Sequence, residues 1–247
     1  MTDSLGQQRS YWDAWNAENR EQSQSDISRD QRDKAIAWLN SFGRHDLDIL
    51  EVGCGAGWLC PWLKPYGRVT ATDLAPEVLA RAQKRIADVR FISGDFMTLD
   101  LSGESFDVVV TLEVLSHVED HAAFVEKLAA VLRPGGALIM ATQNRPVLEK
   151  HNALPAPEPG QLRKWFDRRE LEALLSQHFE ISDIQTLTPI AGKGPLRLLA
   201  GRQTRLLWRA LSGRAMEKAL AGSGLGWTLM VRAQKPGAPS IQPHTNT

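Results

Sequence analysis

The 247 residues carry 29 basic and 29 acidic side chains, so no net charge points toward nucleic acid or another strongly charged polymer as the partner. With 43% hydrophobic residues and no run near the ~20 apolar positions of a membrane span, the composition fits one core with room for an insert and no transmembrane segment. Met1 to Ser10 lacks the basic start and apolar centre of a signal peptide, and Cys54 and Cys60 have the spacing of neither a disulfide framework nor a metal site, so a cytoplasmic location is expected.

In chain order, residues 1–30 are polar except for Tyr11, Trp12 and Trp15, aromatics that need somewhere to dock. Periodicity then predicts a helix over 32–42, leading into a first strand. Through Ile49, Leu50 and Val52 that strand runs into Gly53, Gly55 and Gly57, with Cys54 between the first two. Glycines at alternate positions allow a tight turn and close approach of backbone N–H groups to a ligand. Glu51, just before the turn, offers a carboxylate suited to a cofactor with a cationic amino group. A helix is expected from about Trp58. The dinucleotide fingerprint needs glycine at that position, so Trp58 disfavours an NAD(P)-dependent oxidoreductase. Further strands are predicted at 68–74, 89–96, 106–113, 137–142, 179–187 and 226–233. Asp73, Asp95 and Glu113 then stand with Gly53 at the carboxyl ends of four successive strands, the edge where open α/β sheets bind ligands.

Between the last two strands, residues 191–226 hold Lys193, Arg197, Arg202, Arg205, Arg209, Arg214 and Lys218 against the single acid Glu217. Interleaved leucines predict one or two amphipathic helices, with Arg202, Arg205 and Arg209 on one face. Such a basic insert has three readings: solvated helices packing their leucines on the core, a lid that recognises the acceptor through those three arginines, or a peripheral membrane contact. Pro236 to Thr247 reads as a disordered tail.

The run Leu50 to Gly57, with Arg68 to Leu74, Val89 to Phe96, Phe106 to Glu113 and the turn Leu132 to Gly136, resembles the class I S-adenosylmethionine-dependent methyltransferases. The resemblance implies an α/β fold: a Rossmann-like seven-stranded sheet with helices on both faces, an N-terminal helical cap over 1–45, a core over 46–235 and the helical insert. It implies S-adenosylmethionine as cofactor. Asp73, followed by Leu74, would accept the ribose hydroxyls, Asp95 would meet the adenine amino group, and Phe96 would pack the ring. Leu112 and Glu113 would face the cofactor and the transferring methyl. A leading helix would fold over the pocket, and Arg32 would sit near the cofactor carboxylate. Leu112 to Val118, Ala141 to Arg145 and Trp165 to Leu171 resemble the ubiquinone-biosynthesis O-methyltransferase branch. Those enzymes carry a second acid, tied to metal dependence, where Ser116 stands here, so no metal is expected.

The implied reaction is methyl transfer to a small-molecule acceptor, a hydroxyl or an amine, that has an anionic or lipid-like part. A hydroxyl acceptor must lose a proton, and His117, just past the fourth strand, is the candidate base, with His121 one turn on as a substitute. A regulatory protein that keeps the fold without transfer is the alternative from another class. The oligomeric state is left open.

Overall fold

The computed structural model describes residues 4–19, 25–158 and 161–237. The tail expected from 236 onward therefore lies almost wholly outside the described residues. Seven strands form one sheet: β1 Leu47–Val52, β2 Gly67–Asp73, β3 Val89–Ser93, β4 Phe106–Leu112, β5 Leu132–Gln143, β6 Glu180–Leu187 and β7 Thr228–Gln234. Their order is β3-β2-β1-β4-β5-β7-β6, with β7 antiparallel to both neighbours and the other pairs parallel. The order reverses beside β1, where the chain steps across to β4, and this is the point at which such sheets open a crevice.

Because side chains alternate along a strand, the sheet feeds two cores. Leu50, Val109, Leu138 and Met140 face one side with Phe124 and Leu128 of α5, His121–Val131, and Leu171 and Leu175 of α7, Arg168–Leu175. Ile49, Val108, Val110 and Ile139 face the other, against Ala35, Trp38 and Leu39. Those three belong to α2, Asp26–Asn40, which starts earlier than predicted because Ser25 caps it by accepting from Ser28 N at 3.2 Å. Ahead of it the polar segment forms a helix, α1, Ser4–Asn19.

Other boundaries differ for local reasons. The helix after the glycine turn is a single turn, α3, Cys60–Leu63, which passes into a 3₁₀ turn at Lys64–Tyr66. The third strand stops at Ser93, since Asp95 Oδ1 accepts from Met97 N at 3.0 Å and turns the chain. Between β6 and β7 lie three helices rather than one or two: α8 Arg197–Ala200, α9 Arg202–Ser212 and α10 Ala215–Gly222. Two further helices, α4 Pro76–Arg85 and α6 Arg145–His151, follow β2 and β5. Among the described residues no helix is long and apolar enough to cross a membrane.

Candidate active site

The glycine turn is built on β2. Gly53 N and Cys54 N both donate to Thr72 O, at 2.8 and 3.0 Å, which pins the end of β1 to its neighbour. Gly53 and Gly55 sit at φ +76° and +51°, and each is crowded as well as strained for any other residue. A Cβ on Gly53 would come within 2.1 Å of Val114 Cγ2, and one on Gly55 within 2.6 Å of Asn16 Oδ1.

Asp73, at the end of β2, accepts from Gly55 N through Oδ2 at 2.6 Å and from Ala75 N through Oδ1 at 2.9 Å. Burial pushes its carboxyl above the usual range, and the two backbone donors oppose that shift. Each carboxylate oxygen keeps a lone pair for a ligand. Asp95 is fixed by Met97 N, and Phe96 packs edge-on against Phe124 with ring centres 5.6 Å apart. Gly53, Cys54, Gly55, Asp73, Leu74, Asp95, Phe96, Leu112, Glu113 and His117 all line one cleft.

Two expected cofactor contacts are placed elsewhere. Glu51 is absent from the lining: it is buried behind the turn, where Cys60 Sγ donates to its Oε2 at 3.1 Å. Burial, with the Cys60 thiol beside it, pushes that carboxyl well above its ordinary value. Arg32 also lies away from the cleft, paired with Asp33 at 2.7 Å and stacked 4.3 Å over the Trp62 ring. The preceding residue reaches inward instead. Gln31 Nε2 donates to Glu113 Oε1 and, at 3.1 Å, to Thr228 Oγ1. Glu113 itself is held at φ +66°, with its N–H on Ala141 O at 2.8 Å.

His117 ends a 3₁₀ turn, Leu115–His117, just past β4. Its Nδ1 lies 2.6 Å from Leu162 O, and a carbonyl only accepts, so Nδ1 carries the proton and Nε2 the lone pair. Burial lowers the pKa of this imidazole, which keeps it neutral at pH 7. His121 does not line the cleft; its Nε2 is buried without a partner and its ring packs on Phe166.

Residues of α1 line the cleft as well. Trp12 meets His117 at 4.6 Å, nearly edge-on, and touches Tyr11 and Trp15 on either side. Asp13 Oδ1 accepts from Val78 N at 3.0 Å and so clasps α1 to the start of α4. Opposite α1, residues 154–165 contribute Leu154, Glu158, Arg163 and Trp165. Asp13, Asn16 and Trp227 were not picked out from the sequence, and Gln143 and Trp165 only as members of motif stretches, although the aromatic triplet was the available signal for α1. The cavity measures about 1930 Å³, roughly twice the top of the ~300–1,000 Å³ range for one small ligand, which leaves space for a cofactor and an acceptor together.

The basic insert is not brought to this cleft. None of its described side chains lines it; Arg209 pairs with Glu217 at 2.9 Å and Asp26 at 3.3 Å. For Arg202 and Arg205 only the backbone positions, on α9, are described. Among the described residues no cluster of metal-ligating side chains occurs.

Sheet order, reversed last strand and a cleft at the carboxyl edge define a class I methyltransferase fold. Residues 50–140 match the family model described as a methyltransferase domain. The chain is 40% identical over 105 residues to an uncharacterised methyltransferase of Mycobacterium bovis, covering 40% of this chain and 52% of the relative. It is 47% identical over 105 residues to the ubiquinone biosynthesis O-methyltransferase of Methylocella silvestris, covering 40% of this chain and 41% of that one. The chain thus spans about half the length, or less, of these curated relatives. Among solved structures, a putative methyltransferase of Haloferax volcanii in complex with its Trm112 activator matches with TM-score 0.65 at 18% identity, over 91% of this chain and 97% of its own. The N-methyltransferase NodS of Bradyrhizobium japonicum, with S-adenosyl-L-homocysteine, matches with TM-score 0.62 at 18% identity, over 93% and 99%.

Proposed function

We propose that the protein transfers a methyl group from S-adenosylmethionine to a small-molecule acceptor bearing a hydroxyl or an amine. The cleft fits that cofactor: Gly53 and Gly55 hold positive φ at positions a Cβ would crowd, and Asp73 presents a fixed carboxylate with lone pairs to spare. When bound, the cofactor supplies an electrophilic methyl on a positively charged sulfur. The chain's own task is to align the acceptor, exclude water and take up a proton.

The observation that carries the reading is His117, whose Nδ1–H is committed to Leu162 O while Nε2 keeps its lone pair in the cleft. With the cofactor supplying the methyl group, Nε2 would take up the proton that the acceptor heteroatom loses on methylation. Trp12, Trp165 and Trp227 give the acceptor flat apolar walls, and Arg163 is the one Lys or Arg among the described lining residues, so a planar acceptor with one anionic group fits. Glu51, Arg32 and Arg209 lie outside the cleft lining and so act without direct contact with the ligands. Incubating the protein and methyl-labelled cofactor with a cell extract, then searching by mass spectrometry for molecules that gain one labelled methyl, tests the proposal. Label should enter a small molecule, and a His117→Ala variant should lower the yield. Cofactor binding without any labelled product would favour the regulatory alternative.

A further inference from the structure

The insert turns its leucines outward. On α9, positions 206, 207, 210 and 211 fall within an arc of about 140°, and Leu206, Leu207 and Leu211 are 63%, 55% and 69% exposed. Arg209 lies across the helix, tied to Glu217 and Asp26. Leu198 on α8 is 73% exposed beside the exposed Arg197. The insert meanwhile has its own small core in Ala191, Leu196, Ala200 and Leu220, so its folding does not use the outward leucines. An apolar patch of this kind, concentrated on one element, marks a contact surface.

Charge selects the occupant. Glu217 is the single acid between residues 191 and 226, and it is buried and held by Arg209 and Arg214. The outer surface of the insert therefore offers the exposed cations Lys193, Arg197 and Lys218 around leucines, with no exposed acid. We propose that this insert docks on an anionic lipid bilayer, the leucines entering the acyl boundary and the cations meeting headgroup phosphates. Docking there would carry the cleft rim with it. Gly192 N donates to His151 O at 2.8 Å and to Asn152 Oδ1 at 3.0 Å, which anchors the insert on the chain just before Leu154 at the cleft mouth.

The inference is independent of methyl transfer and is tested without it. The full chain is floated with vesicles of phosphatidylcholine mixed with phosphatidylglycerol, and with phosphatidylcholine alone. It should rise with the anionic vesicles only and be released as salt increases. Replacing Leu206, Leu207 and Leu211 together by Ser should weaken partition on the order of tenfold or more, with the melting temperature unchanged because these side chains already face water. Lys193→Gln, Arg197→Gln and Lys218→Gln combined should erase the preference for anionic lipid. Wild-type protein that stays at the bottom with both vesicles, or a leucine variant that floats equally well, overturns the proposal. So does a concentration-dependent dimer in sedimentation that the leucine variant abolishes, which would make the face a contact between two copies.

Discussion

Replacing Asp73 by Ala removes two things that the geometry keeps separate. One is the anchor of the glycine turn: Gly55 N and Ala75 N, at 2.6 and 2.9 Å, lose their acceptor. A buried donor left without a partner costs about 1–3 kcal/mol, and in a chain of this size each kcal/mol lowers the melting temperature by roughly 2–4 °C. The other is the proposed bond pair to the ribose hydroxyls. Hydrogen bonds to a charged group are worth about 1.5–3 kcal/mol, which is roughly ten- to hundredfold in cofactor affinity. Asp73→Asn is intermediate in both, because its carbonyl can still serve Ala75 N while its amide neither accepts from Gly55 N nor carries the charge. Calorimetric titration with S-adenosylmethionine should therefore rank wild type above Asn and Asn above Ala, while a thermal melt reports the turn. A folded Asp73→Ala protein that titrates like wild type would refute the assignment.

Four further outcomes follow from the same geometry. Gly55→Val should abolish cofactor binding, since its branched Cβ would enter the Asn16 carboxamide at a φ of +51°; a folded variant with wild-type affinity would mean that the turn does not cradle the ligand. With the His117 pKa lowered by burial, the acid limb of the kcat/KM profile should fall below ~6.5 and disappear in His117→Ala. The same group makes the fold lose stability as pH drops below ~6.5, where the unfolded imidazole binds a proton and the folded one does not; the variant's melting temperature should vary less over that window. Asp13→Ala removes the cap that α1 supplies to α4, at a cost of about 1 kcal/mol, and should speed proteolysis of α1 while sparing the sheet; equal protease resistance would show that the aromatics alone hold α1.

What could be read from the chain, and what could not, divides along side-chain direction. Strand ends are set by apolar runs and turn residues, so Gly53, Asp73, Asp95 and Glu113 come together at one edge as their spacing predicts. Glu51 belongs to the strand, where direction alternates: Leu50 faces the α5 side, so Glu51 points with Ile49 toward α3, and there it meets Cys60. Arg32 fails by one residue for the helical counterpart of that reason. The inward stripe of α2 is Ser28, Gln31, Ala35, Trp38 and Leu39, and a position 100° from Gln31 leaves the stripe. The insert shows the limit of periodicity itself. Its pattern marks two faces on α9, but nothing local says which of them meets the protein, and here Arg209 does while Leu206, Leu207 and Leu211 are exposed. Helix α1 has no apolar stripe, so periodicity does not mark it and only the resemblance implied it; it is held by aromatic contacts and by Asp13, both of which are long-range.

The account rests on the cleft being a site for S-adenosylmethionine, and side-by-side calorimetric titration with S-adenosylmethionine and with NADH tests this most directly. Saturable binding of S-adenosylmethionine at one site per chain, lost in Gly55→Val, with no heat from NADH, is the predicted result. Saturable binding of NADH, or none of S-adenosylmethionine by folded wild-type protein, would contradict it.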